Sequence, residues 1–141
     1  MLLYTTVGAD DFSRAVRFYD AIFTALGHGR LPDGAEGWAG WGNDYDNGFS
    51  FWICPPYNGK AAQPGNGVMF TFRAANAAQV RAFHAAGMSH GGQDEGPPGT
   101  RDYYEPSFYV AYLRDPEGNK LAAAFHHYDP AKDKTLSSFP R

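Results

Sequence analysis

Five histidines, one cysteine and fifteen acidic residues are the side chains here with the chemistry to hold a metal or move a proton. Their spacing narrows what they can do. His126 and His127 are adjacent, so on a strand they point to opposite faces and do not chelate one ion together. His84 follows Phe83 in a helical pattern and reads as a helix-surface or packing residue, while His28 and His90 sit in Gly-rich segments where solvated side chains are the rule. His126 remains as a pocket acid or base. Cys54, alone, forms neither an internal disulfide nor a thiolate cluster and reads as a small buried hydrophobe.

Three motif-like stretches fail on their details. GHGRLPDG from Gly27 begins as G-x-G but carries Pro32 where a dinucleotide fingerprint needs its third glycine, and it follows a helix instead of a strand. DYDNGFS from Asp44 resembles a calcium loop, yet its glycine comes one place early and the twelfth position is Pro55, with no bidentate Glu. A polar hairpin turn is the better reading. No G-x-S-x-G elbow is present to expose a serine nucleophile.

The elements that position these residues follow from periodicity. Met1 to Gly8 reads as a strand, and Asp10 or Asp11 then caps a helix at 11–26 whose apolar face is Phe12, Ala15, Val16, Tyr19, Ile22, Phe23 and Leu26, with Gly27 past its end. The order returns later: VMFTF as strand, Asn76 as cap, AAQVRAFHAA as helix and Gly87 as stop. Tyr4 to Met69, Asp11 to Asn76 and Phe18 to Phe83 are each 65 positions apart, so the two stretches superpose without a gap, as an internal duplication does. The second halves align at an offset of 71, which sets Trp38 against Tyr109, Trp41 against Tyr112 and Asp44 against Asp115. Each half reads as an aromatic strand, an Asp-led turn and an apolar strand. Asn58–Asn66 is the linker between modules. Module 1 spans about 1–57 and module 2 about 67–128 of one domain, 1–141, with a tail at 129–141.

GADDFSRAVRFYD, FTFRAANAAQVRAFHAAG and above all YVAYLRDPEGNKL, with its aromatic strand and Asp-Pro-x-Gly-Asn turn, resemble the vicinal oxygen chelate superfamily of glyoxalases, bleomycin resistance proteins and extradiol dioxygenases. The resemblance implies an α+β fold of two tandem βαβββ modules whose curled mixed sheets surround a shared cleft. In metal-dependent members each module supplies a His from its first strand and a Glu from its last. Carried over, the His positions fall on Tyr4 and Met69 and the Glu positions on Ala122 and, through the offset of 71, Phe51, with Ser50 and Trp52 one place to either side. None is a good ligand for a divalent cation, so neither a metal nor a cofactor is expected. Alternation adds Thr6 and Thr71 beside Tyr4 and Met69, and sets Ala124 and His126 after Ala122: an apolar wall with a few hydroxyls and one imidazole. In the polar loop DEGPPGTRDYYEP, Arg101, Tyr103 and Tyr104 either close over a ligand or stand exposed; Trp38, Trp41 and Tyr112 read as core.

Composition sets the remaining bounds. A net charge of −3 with no Lys/Arg run gives no footprint for nucleic acid, 43% hydrophobic residues suffice for a core, and no apolar run is long enough to cross a bilayer. With no signal-peptide pattern at the N-terminus, the expected address is the cytoplasm, away from membranes. The leading expectation is a metal-free, bleomycin resistance-like protein binding a small apolar or aromatic molecule in the cleft, and, as the resemblance implies, a homodimer. The rivals are a lyase or dioxygenase of the same superfamily with a displaced metal site, using His126 and nearby carboxylates, and a pocketless dimerisation module. Whether a reaction is catalysed stays open.

Overall fold

The computed structural model of the chain describes residues 1–32 and 34–133; the end of the expected tail, 134–141, lies outside them. Strand β1 (Tyr4–Gly8) leads into helix α1 (Phe12–Ala25), followed by β2 (Ala39–Gly42) and β3 (Ser50–Cys54). The second module repeats the order: β4 (Met69–Arg73), α2 (Ala77–Ser89), β5 (Gln93–Gly99), β6 (Tyr109–Arg114) and β7 (Lys120–Phe125). The helices start where the sequence places them. Asp11 and Asn76 sit in extended conformation and their side chains accept the backbone N–H of Arg14 and Gln79, at 3.1 and 2.8 Å. Gly27, at φ +85, ends the first helix without the steric cost another residue would meet.

Two mixed sheets result, ordered β1-β3-β2 and β4-β7-β6-β5. In each, the first strand of the module pairs parallel with the last, and the remaining pairs are antiparallel. This is the α+β tandem architecture expected. The first module carries the counterpart of β5 only as a single bridge, Arg30 to Trp41. Pro32 and the glycines that follow explain the shortness, since proline has no N–H to continue a ladder.

One core joins the modules. Phe18, Tyr19, Ile22 and Phe23 of α1 pack with Val80 and Phe83 of α2 against Val7, Trp41, Phe51 and Ile53 of one sheet and Ala111, Leu113, Leu121 and Ala123 of the other. Phe51 and Phe72, from different sheets, meet edge to face with centroids 5.4 Å apart. Gly87 was expected to stop α2. Instead the helix runs on to Ser89, and Gly87 is buried at its centre of contact with β6, where a Cβ would overlap the Leu113 side chain. It is a close-packing glycine, and its place in the last turn of the helix is what disguises it. The Asp-Pro-x-Gly-Asn turn is tied to the same core: buried Asp115 accepts from the backbone N–H of Glu117 and Asn119, from the Asn119 amide, and from the Tyr19 hydroxyl at 2.5 Å. Among the described residues, no helix is long and apolar enough to cross a membrane.

Candidate functional site

Because strand side chains alternate, every residue that does not enter the shared core faces away from the helices. Each sheet therefore presents one outer wall. On the first sheet that wall is Tyr4 and Thr6 from β1, Gly40 from β2, and Ser50, Trp52 and Cys54 from β3. On the second it is Met69, Thr71 and Arg73 from β4, Val110 and Tyr112 from β6, and Ala122 and Ala124 from β7.

Strand pairing settles which residues of the two modules correspond. Tyr4 pairs with Ser50 and Met69 with Lys120, so β3 and β7 correspond at an offset of 70. Trp41 pairs with Phe51 and Leu113 with Leu121, so β2 and β6 correspond at 72. The expected offset of 71 lies one residue off on both strands, and one residue turns a side chain to the opposite face. The physical source is the hairpin turn, longer by two residues in the first module. Phe51 is accordingly not a wall residue: it is buried on the helix side against Tyr19, Phe23, Phe70 and Phe72. The counterpart of Ala122 is Trp52. Trp41 and Tyr112, matched in sequence, also part company, the first entering the core and the second the outer wall.

The first wall is aromatic and partly open. Trp52 lies across Gly40, where a Cβ would overlap the indole, and its Nε1–H donates to Ser50 Oγ at 2.9 Å. Trp38 meets its ring edgewise at 6.4 Å, and Tyr45 reaches from the hairpin turn to Tyr4 at 5.9 Å. Tyr4 is 44% exposed. A cavity of 810 Å³ runs from Thr6, Cys54 and Trp38 to the Pro55–Gln63 segment, and a second of 620 Å³ lies between Tyr45, Trp52 and Pro32. Both fall in the range of small-molecule pockets. Cys54 is a buried thiol, as expected, and that burial raises its pKa against the opposing bond from Thr6.

The second wall is aromatic and cationic. Tyr112 covers Ala122, which is fully buried beneath it and so is not itself open to a ligand. Arg101 and Lys120 stand over the Tyr112 ring, at 5.6 and 5.3 Å from its centroid, and the Tyr104 and Tyr112 hydroxyls meet at 3.4 Å. Burial, helped by Tyr104, pushes the Tyr112 phenol up to about 12. The loop holding Arg101 and Tyr104 thus folds onto the sheet, with Tyr104 also meeting Phe108 at 5.2 Å, whereas Tyr103 is 75% exposed. Met69 and Thr71 are exposed along β4. His126 and His127 do not diverge as strand alternation demands: β7 ends at Phe125, and their rings lie 3.9 Å apart. His84, partly buried, meets Asp94 at 2.8 Å on the helix side.

Tyr4, Trp52, Met69 and Ala122 offer a phenol, an indole, a thioether and a methyl, a set that does not fit the divalent metal implied by the resemblance. Among the described residues, no three His, Cys, Asp or Glu side chains are grouped to hold an ion. The cavities described so far are each walled by one sheet.

The fold has solved relatives. A glyoxalase/bleomycin resistance protein from Albidiferax ferrireducens T118 is 38% identical, with 88% of this chain and 97% of that one aligned at a TM-score of 0.77. A glyoxalase-related enzyme from Fulvimarina pelagi is 20% identical over 89% of this chain and 87% of its own, with a TM-score of 0.68. For a glyoxalase/bleomycin resistance protein/dioxygenase family enzyme from Burkholderia phytofirmans PsJN the figures are 16%, 86%, 95% and 0.66. These last two share the fold alone. No family model matches the chain, and no curated protein matches it.

Proposed function

The chain belongs to the glyoxalase/bleomycin resistance protein family, and from that premise we propose that it binds a small apolar or aromatic molecule without a metal, in a cleft completed by a second copy of itself. The observation that carries the reading is the pair of outer walls. Both are lined by aromatic side chains, and at the positions where metal-dependent relatives place ligands they present groups that pack but do not coordinate.

Two features support the second copy. The strands opening the walls, β1 and β4, are both sheet edges, and around them Leu2, Leu3, Tyr4, Val68 and Met69 expose apolar surface. The shared core occupies the opposite faces of the two sheets, so the walls look outward within one chain. A two-fold axis that sets β1 of one protomer beside β4 of its partner builds two equivalent clefts from complementary halves.

Light scattering at micromolar concentration is expected to give twice the 15.5 kDa of the chain. The neutral dye N-phenyl-1-naphthylamine is expected to brighten on binding, at one site per cleft, with an affinity that chelators leave unchanged. A monomer, or a dye whose binding disappears with chelator and returns with zinc, overturns the proposal.

A further inference from the structure

Beyond the aromatic lining, the geometry points to a seat for the acid group of a small organic acid at the far end of the second wall, made by Arg73 and His126. This rests on the reading that the walls hold a small molecule, and names the chemical class of that molecule.

Arg73 ends β4 on the outer face, beside Ala124 in register, and its Nη1 meets His126 Nδ1 at 3.5 Å. Arg14, Arg30, Arg81 and Arg114 each pair with a carboxylate. Around Arg73, among the described residues, no carboxylate stands at ion-pair distance. Among the described residues His126 is the side chain that meets its donor fork, whose geometry matches the two oxygens of a carboxylate. A neutral His126 accepting from Arg73 at Nδ1 carries its proton on Nε2, which adds a donor at the same place.

A cavity of 190 Å³ opens here, lined by Thr71, Phe72, Arg73, Phe108, Ala124 and His126. It is smaller than a drug-sized pocket. That suits an acid group and a few carbons, with apolar atoms of Phe108 and Ala124 beside them and the aromatic body extending toward Tyr104 and Tyr112. Arg101 and Lys120 over the Tyr112 ring add positive charge along the path, although the chain as a whole is acidic. An organic anion complements that positive charge, which a neutral ligand does not.

The test is a titration of the full-length, isotope-labelled protein with phenylacetate and, as its neutral match, phenylacetamide, followed by amide resonances. Phenylacetate is expected to shift residues 71–73 and 124–126 saturably and to bind about tenfold more tightly than phenylacetamide. Arg73→Gln is expected to erase that preference by lowering phenylacetate affinity to that of phenylacetamide, and Arg73→Lys to restore it only in part, because a point charge replaces a fork. Arg17→Gln, which removes the same charge from an exposed site on α1, should change nothing. Equal binding of acid and amide, no saturable shift at these residues up to millimolar acid, or inorganic phosphate binding as tightly as phenylacetate would each overturn the acid seat. Retained dye binding in those cases leaves the proposed function standing, and its loss brings down both.

Discussion

Replacing Tyr19 with Phe removes one hydroxyl and little volume, yet it strips a buried carboxyl of a partner. Asp115 accepts from four donors, and Tyr19 is the one that comes from the other module. A hydrogen bond to a buried acidic group is worth about 1.5–3 kcal/mol, so Tyr19→Phe should cost about 2 kcal/mol at neutral pH and lower the melting temperature by about 6 °C. The pH dependence has a definite sign. Desolvation raises the Asp115 pKa against the pull of its donors. Ionisation therefore disfavours the folded state, and the contribution of Asp115 is complete below its unfolded pKa and lost as pH rises through the folded one. Removing Tyr19 takes away a downward pull, so the variant should lose most at neutral pH and recover toward wild type in acid. Burial first, and Asp115 second, raise the Tyr19 phenol. Wild type should therefore lose stability as pH climbs above the ordinary phenol value of about 10 by more than the variant does, since the variant lacks this one raised phenol. Urea unfolding across pH measures all three regimes. A variant within about 0.5 kcal/mol of wild type at neutral pH, or a difference that ignores pH, would refute the reasoning.

Gly87→Ala should destabilise by about 1–3 kcal/mol despite the gain of nearly 1 kcal/mol in helix propensity, since its methyl must displace Leu113; a more stable variant in thermal melts counts against the packing role. The face assignment is tested by two threefold variants sharing Tyr4→His and Met69→His. The one adding Trp52→Glu should fold and bind zinc with two chains per site. The one adding Phe51→Glu should fail to fold, because it buries a carboxylate among four aromatic rings. Zinc titration with light scattering distinguishes them, and metal binding by the Phe51→Glu protein would reverse the assignment.

The helices and their caps were legible because the opening half of each module aligns without insertion: Asp11 and Asn76 cap, and Phe18 and Phe83 are both fully buried. The later strands were not, because a turn two residues longer contributes no signal of its own. Averaging two true offsets of 72 and 70 yields a number that is right for neither strand, and an odd error inverts the face. Only hydrogen-bond register reveals it. Phe51, Trp41 and Tyr112 show the result. His126 and His127 were misjudged for a different reason, since alternation was carried past the end of β7. The packing of Tyr104 onto Tyr112, and the exposure of Tyr103 beside it, depend on how a Gly- and Pro-rich loop folds back, which adjacent identical residues do not encode.

The division between a core on one face of each sheet and an outer wall on the other also bears on how such a protein changes over generations. Along β3 the buried core residues Phe51 and Ile53 interleave with the wall residues Ser50, Trp52 and Cys54. Neighbouring codons thus answer to separate selections, one for stability and one for what is bound. The wall positions facing a cavity are freer to drift to new ligands, while their immediate neighbours stay constrained by the rings around them. A duplicated unit arranged this way is able to alter its two walls independently, because the common core enforces the fold without dictating either surface.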